Sequence, residues 1–114
     1  ITSGGNYGWP VAEGIDGGDD FIDPVQQWEP SEASPSGLTV HGDMIYIANL
    51  RGERLRAIPV ADPTAATDLF IGEFGRLRAV ASAPDGSLWF VTGNMNSRVS
   101  PRLDDDHIMR LDLP

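Results

Sequence analysis

The chain has 114 residues, 40% of them hydrophobic, which suffices for one compact domain with a large surface relative to its core. Its formal net charge of −9 argues against binding to nucleic acid or to an anionic membrane surface, because both would repel it. The absence of cysteine excludes disulfides, zinc–thiolate sites and thiol catalysis. No apolar run approaches the ~20 residues of a membrane-spanning helix. No signal-like segment is present, so we expect a mature product or a piece of a longer chain.

Residues 1–37 are predicted to form a long loop region. An acidic, glycine-rich stretch at residues 13–20 carries oxygen ligands of the kind that calcium prefers. Its spacing fits no EF-hand loop, so a solvated acidic loop is the alternative. Two prolines and three serines at residues 30–36 are expected to prevent regular strand pairing and to form a rigid surface crossing.

From residue 38 the pattern changes to short strands separated by turns. Strands predicted at 38–41, 44–49, 54–60 and 67–71 would form one four-stranded antiparallel unit within residues 38–74. A second unit within residues 75–114 has three predicted strands, at 76–83, 87–93 and 107–113, and a polar loop at 94–106. Similar apolar runs recur roughly 43 residues apart, at Ile45 and Leu88, which is the repeat length of a propeller blade.

This pattern predicts an all-β chain made of about two successive blades of a β-propeller. Closure of a propeller ring takes at least about four blades, and the last unit lacks its fourth strand. We therefore expect these residues to be the terminal portion of a larger propeller.

The second unit opens with two arginines. Arg76 and Arg78 are two positions apart in a predicted strand, so their side chains should share one face while Leu77 and Ala79 point the other way. Two guanidinium groups at one place suit a ligand with several carboxylates, because each can grip a carboxylate with two parallel bonds. The alternative is that both arginines are solvated or paired with nearby acids.

Other polar residues are weaker candidates. Consecutive carboxylates at residues 104–106 repel one another, so a solvated loop is favoured there, with Asp106 bonding backbone ahead of the last strand. His41 adjoins a turn and His107 opens a strand, where a neutral or solvated histidine is usual. We assign no site to any of them.

Three separated motifs carry a resemblance to a known family. They are Asn6-Tyr7-Gly8-Trp9-Pro10 with Glu13-Gly14, then Ala33-Ser34-Pro35-Ser36-Gly37-Leu38, then Gly75-Arg76-Leu77-Arg78-Ala79-Val80 with Pro84-Asp85-Gly86. In order and spacing they resemble the C-terminal part of the soluble quinoprotein glucose/sorbosone dehydrogenases, also called PQQ-dependent aldose sugar dehydrogenases. The resemblance covers essentially the whole chain.

The resemblance implies a six-bladed propeller that oxidises an aldose to its lactone. In this family pyrroloquinoline quinone (PQQ) accepts the hydride and a calcium ion polarises the quinone. A periplasmic or extracellular location is also implied. The sugar and the electron acceptor are not indicated by these residues.

Carried over residue by residue, the resemblance implies five cofactor-binding positions. The arginine pair would line the PQQ pocket, whose cofactor has three carboxylates, and the other three positions are Arg51, Ser31 and Trp28. The backbone carbonyls of Tyr7 and Glu13 match positions that hold a structural calcium in relatives.

Two departures from the family limit what this chain can do. Ala79 stands where the family usually has aspartate after the arginine pair. The histidine that serves as general base and the ligands of the catalytic calcium lie in earlier blades, so we expect no catalytic residue here and no activity of these residues alone. The alternatives are a propeller that binds sugar or protein without catalysis, and a fragment that associates with itself through exposed blade faces.

Overall fold

A computed structural model describes residues 1–95 and 105–113, in which all regular structure is β. The first sheet contains, in spatial order, β1 (Pro35–His41), β2 (Met44–Asn49), β3 (Arg54–Pro59) and β4 (Thr67–Leu69). The second contains β5 (Leu77–Ser82), β6 (Leu88–Thr92) and β7 (Ile108–Leu111). Every neighbouring pair is antiparallel. Asp104 lies outside the described residues.

All seven strands lie where the sequence predicts them, and the bounds of β2 are those predicted. The largest difference is at β1, which begins at Pro35 rather than at residue 38. The expectation that the prolines would prevent pairing there is wrong, because Pro35 pairs with Asn49 at the start of the strand. β1 is an edge strand of its sheet, and an edge strand can lose one N–H donor without breaking a ladder on its other side.

The hydrophobic core lies between the two sheets. Opposite residues of an antiparallel pair share a face, so one face of the first sheet presents Tyr46 and Ala57, followed along the strands by Ala48 and Leu55. This face meets the side chains of the second sheet in one cluster of buried residues: Tyr46, Ala48, Leu55, Ala57, Leu77, Val80, Leu88 and Phe90. The rings of Phe70 and Phe74 close the cluster against Phe90, with centroids 5.4 to 5.8 Å apart.

The other face of the first sheet is covered in part by residues 1–30. Gln26 donates a hydrogen bond from its side-chain nitrogen to the carbonyl of Ala65 at 2.9 Å. A mainly apolar groove of about 520 Å³ separates this segment from the sheet, and its sheet side is formed by Leu38, Ile45, Ile47 and Ile58. No helix among the described residues is long and apolar enough to cross a membrane.

A buried ion pair also stands on this outer face. The guanidinium of Arg56, which is 2% exposed, donates to both carboxylate oxygens of Asp68 at 2.6 and 3.0 Å. Arg54 donates to the same carboxylate at 2.8 Å. Burial alone would raise the pKa of Asp68, but the bonds from both arginines outweigh it and hold that pKa below its ordinary value.

Each sheet has one irregularity in its first strand, and the two irregularities meet. Ser36 is an extra residue between Pro35 and Gly37 in the pairing of β1 with β2. Arg78 is likewise extra between Leu77 and Ala79 in the pairing of β5 with β6. At their junction a Cβ on Gly37 would lie 2.8 Å from the Cα of Ala79, so β1 and β5 approach each other as closely as glycine allows.

The bulge at Arg78 changes which side chains of β5 share a face. Leu77 and Val80 are both buried in the core, although residues three apart in a regular strand would point to opposite faces. Ala79 is exposed, so the prediction that it points the same way as Leu77 is wrong. The extra residue resets the alternation, and both Arg78 and Ala79 are exposed as a result.

Replacing Gly37 with alanine is expected to lower the free energy of unfolding by about 1–3 kcal/mol, because the added methyl group presses on the backbone of β5. Gly5→Ala is the matched control. Its Cβ would also meet a neighbour at 2.8 Å, but that atom is the end of the Ile22 side chain, which can move away. Urea unfolding of both variants measures the difference. Equal losses for the two would contradict a tight contact between β1 and β5.

Replacing Asp68 with alanine is expected to lower the free energy of unfolding by about 3 kcal/mol at pH 7, because the buried charge of Arg56 then has no carboxylate partner. Asp112→Ala removes an exposed partner of Arg110, at 2.7 Å, and should cost less than about 1 kcal/mol. Urea midpoints and slopes give both values. A loss from Asp68→Ala no larger than that of the control would show that the pair contributes nothing.

The same pair predicts a pH dependence. The pKa of Asp68 is lower in the folded protein than in the unfolded chain, where it is near 3.8. The Asp68 carboxylate therefore makes its full contribution to the free energy of unfolding above pH 3.8, and this contribution is lost as the pH falls through the pKa of the folded protein. The stability difference between wild type and Asp68→Ala should therefore be constant from about pH 7 to 5 and shrink below about pH 4. A difference that stays constant to pH 2.5 would be the contrary result.

Candidate functional site

The predicted cofactor residues at the turn after β2 and at the start of β5 meet at one edge of the molecule. We name this the arginine edge and define it as residues 50–51, 75–78 and 93–94. Gly93 lies between Arg78 and Leu50. A Cβ at this glycine would be 3.3 Å from the Arg78 Cβ and 3.7 Å from a methyl of Leu50. Arg51 follows Leu50 directly and is exposed. The fold thus brings Arg51 and Arg78, which are far apart in sequence, to neighbouring positions.

The backbone of Arg76 is fixed on both sides of its Cα. Its N–H donates to the Oδ1 of Asn94 at 2.8 Å, and its carbonyl accepts a bond from the N–H of Gly93 at 2.7 Å. Asn94 is 2% exposed and also donates from Nδ2 to the carbonyl of Phe74 and to Asp105, at 2.9 and 2.8 Å. The side chain of Asn94 contacts the position that a Cβ on Gly75 would occupy, so a side chain there would displace it.

The side chain of Arg76 has an unsatisfied donor. Its Nε is buried and has no hydrogen-bond partner among the described residues. A buried donor without a partner costs about 1–3 kcal/mol, so such a group commonly marks a place where another molecule or segment supplies the acceptor. Arg78 and Arg51 are exposed and pair with no acid within residues 1–95 and 105–113. The edge therefore carries three arginines that form no ion pair with an acid among the described residues.

Ser31 lies beside this edge. The segment after it runs along the turn between β2 and β3, where Ala33 and Ser34 accept backbone bonds from Gly52 and Leu50 at 2.8 and 2.9 Å. The carbonyl of Glu32 packs so closely on Gly52 that no side chain fits there. Ser31 is exposed and directly precedes Glu32 in the chain.

Trp28 has a different environment. The guanidinium carbon of Arg56 lies 4.4 Å from the centroid of its ring, a cation–π contact on the outer face of the first sheet. Arg56 also donates to the carbonyl of Glu32 at 3.3 Å. The ring is thus tied to the buried ion pair, and the same guanidinium holds the two ends of residues 28–32.

Asp106 joins the residues that follow β6 to those that precede β7. Its carboxylate accepts bonds from the backbone N–H groups of Asn94 and Met95, at 2.7 and 3.2 Å, and from the hydroxyl of Thr92 at 3.0 Å. The expectation that Asp106 bonds backbone ahead of the last strand is confirmed. The bond from the Asn94 N–H is the main reason why the pKa of Asp106 lies below its ordinary value.

The acidic loop is held by two side chains that follow it in the chain. Asp23 accepts bonds from the N–H groups of Asp16 and Gly17, at 3.1 and 3.2 Å, and the side chain of Gln27 accepts one from Ile15 at 2.8 Å. Within the described residues, no group of three or more His, Asp or Glu side chains is placed to hold a metal ion. The prediction for Tyr7 and Glu13 concerns backbone carbonyls and stays a prediction; both side chains are exposed.

Sequence reasoning missed the residues that hold the arginine edge in place. Ser36, Gly37 and Asn94 act through partners 18 to 42 positions away, as in the bonds Arg76–Asn94 and Ser36–Arg78. The buried pair of Arg56 and Asp68 was also missed. Alternating arginines in a predicted strand opposite a strand with one acid could have indicated it.

Comparison with known proteins agrees with these features. The family model of glucose/sorbosone dehydrogenases matches residues 1–101. The PQQ-bound aldose sugar dehydrogenase of Streptomyces coelicolor is 46% identical and superposes on 93% of this chain with a TM-score of 0.86. A putative oxidoreductase (glucose dehydrogenase) of Thermus thermophilus is 32% identical, with a TM-score of 0.78 over 93% of this chain.

An uncharacterized protein of Synechocystis is 30% identical over 122 aligned positions, which include 87% of this chain. The chain spans 33% of each of the two solved structures and 29% of the Synechocystis protein. The resemblance carried by the three motifs is confirmed by the match over residues 1–101. This chain belongs to the glucose/sorbosone dehydrogenase family.

Proposed function

We propose that this chain forms part of a PQQ-dependent sugar dehydrogenase and supplies an arginine-lined wall of its cofactor pocket. The observation that carries the proposal is the buried, unpartnered Nε of Arg76 on the same edge as the exposed Arg78 and Arg51. PQQ has three carboxylates, and each can accept charge-assisted bonds from a guanidinium. The 46% identical relative from Streptomyces coelicolor is PQQ-bound, which supports the choice of this anion.

The residues present fit the cofactor in charge and in number of donors. Arg76 and Arg78 would bind PQQ carboxylates, with Arg51 and the hydroxyl of Ser31 beside them. When bound, PQQ would accept a hydride from the sugar. The arginines would orient the cofactor, because a fixed guanidinium fork prefers the plane of the carboxylate it grips.

Trp28 would take part from one side of this pocket. Its ring is held on Arg56, so it is a rigid aromatic surface rather than a mobile one. A rigid wall at this place would limit the positions that a flat cofactor can take.

For the whole protein we propose oxidation of an aldose at its anomeric carbon to the lactone. The chain spans about a third of its relatives, so the general base and the ligands of the catalytic calcium would come from the remaining two thirds. In this proposal the two sheets are successive blades of a six-bladed propeller. The leading loop ends where β1 begins, at Pro35, the first blade continues to residue 74, and residues 75–114 supply three strands of the last blade. These residues alone would be inactive.

We also propose a structural calcium site and a cellular location for the whole protein. The backbone carbonyls of Tyr7 and Glu13 would hold the ion, since carbonyl oxygens suffice for calcium whatever the side chains. A periplasmic or extracellular location follows from the family.

A binding module without catalysis is the second candidate. Ala79 favours it, since the family usually carries aspartate at this position and Ala79 is exposed beside the arginine edge. Such a module would recognise sugar or protein and would not need PQQ. Association of the fragment with itself through exposed blade faces and unpaired strand edges is a separate candidate, which a monomer mass in light scattering would exclude.

Arg76→Ala and Arg78→Ala are each expected to weaken PQQ binding about ten- to a hundredfold, since a bond to a charged group contributes about 1.5–3 kcal/mol. The measurement is a fluorescence titration of the full-length protein with PQQ. Arg110→Ala is the control, because Arg110 lies in β7 and pairs with Asp112. Unchanged affinity in both arginine variants would overturn the arginine wall.

Activity is expected to depend on both PQQ and calcium. The full-length apoprotein should reduce an artificial electron acceptor with an aldose only after both are added, and a chelator should abolish the rate. A binding module would show neither PQQ binding nor turnover. Inactivity of a verified full-length protein that has bound PQQ and calcium would count against the enzyme, whereas a full-length protein that binds no PQQ would favour the second candidate.

A further inference from the structure

The bulge that carries Arg78 is held from the other sheet by a single hydroxyl group. Ser36 donates from Oγ to the carbonyl of Arg78 at 2.8 Å, and the carbonyl of Leu77 lies 3.1 Å from the same oxygen. The carbonyl of Ala48, in its own sheet, is 3.4 Å away. The shorter distances are the two that cross between sheets.

This contact is specific to a bulged backbone. Successive carbonyls of a regular strand point in opposite directions, so one donor cannot reach both. At residues 77 and 78 both carbonyls lie within 3.1 Å of the Ser36 oxygen, which requires the peptide between them to be rotated. The hydroxyl therefore stabilises the bulged form of β5 over the regular form.

Arg78 is the extra residue of this bulge, so the bulge sets the backbone from which its side chain departs. A regular strand would place Arg78 and Ala79 on opposite faces, whereas both are exposed here. Gly37, next to Ser36, allows the approach that brings the hydroxyl within reach. The bulge is the kind of device by which strands redirect a side chain beside a functional site.

We propose that Ser36 is a positioning residue for Arg78: its hydroxyl fixes the bulge that aims this guanidinium at the carboxylates of the cofactor. The proposal rests on the proposed PQQ site and adds a residue from the preceding sheet that acts only through Arg78. Because Ser36 lies in β1 and Arg78 in β5, the position of Arg78 in the pocket wall depends on how the two sheets pack.

The test compares Ser36→Ala with Ser82→Ala in the full-length protein. Ser82 is the matched control, because its hydroxyl also joins β5 to β1, through Nδ1 of His41 at 2.7 Å, but at the end of β5 far from Arg78. Ser36→Ala should weaken PQQ binding about tenfold, the equivalent of roughly one bond to a charged group, and Ser82→Ala should leave it unchanged. Ser36→Thr keeps the hydroxyl and should restore most of the affinity.

A second readout does not need the cofactor. Amide hydrogen exchange over residues 77–80 should be faster in Ser36→Ala than in wild type and in Ser82→Ala. If wild type fails to bind PQQ while this difference remains, the proposed function falls and the positioning of Arg78 stands. If wild type binds PQQ and Ser36→Ala matches it in affinity and in exchange, the positioning role is overturned.

Discussion

The contact between β1 and β5 is the constraint on which the rest of the structure depends. At Gly37 the two backbones are so close that any side chain would push them apart, and at Ser36 a hydroxyl crosses the same junction to Arg78. The buried core forms behind this contact, because Leu77 and Val80 reach it only if the bulge lies between them. The same contact therefore determines both how the two sheets pack and where the arginine edge lies.

The arginines of the chain divide into two groups by their surroundings. Arg54 and Arg56 share the carboxylate of Asp68 within the sheet, so their charge is compensated and their role is structural. Arg76 and Arg78 have no carboxylate partner among the described residues, where Nε of Arg76 and Nη1 of Arg56 are both buried without a hydrogen-bond partner. The chain has a net charge of −9, so the lack of ion pairs at Arg76 and Arg78 among the described residues does not come from a shortage of acids.

The strands could be predicted from the sequence because their limits are marked by local signals. Gly42 has a positive φ of 59° in the turn after β1, and Gly86 has a positive φ of 87° in the turn after β5. Few residues other than glycine adopt such a φ. The bulges could not be predicted, since an extra residue in a strand is defined only by its partner strand. The strict alternation assumed for residues 76–79 failed for this reason, and with it the placement of Ala79.

Of the five predicted cofactor residues, Arg76 and Arg78 lie within the three motifs, and Asn94, which supports them, lies outside. Asn94 lies in a polar loop where nothing local distinguishes it from a solvated residue, yet it is buried and holds the backbone of Arg76. A crystal structure of the full-length protein with PQQ tests the central claim most directly. The account predicts the guanidinium groups of Arg76 and Arg78 on PQQ carboxylates, with the Ser36 oxygen still bonded to the carbonyl of Arg78. PQQ bound elsewhere, or both arginines turned away from it, would contradict the account.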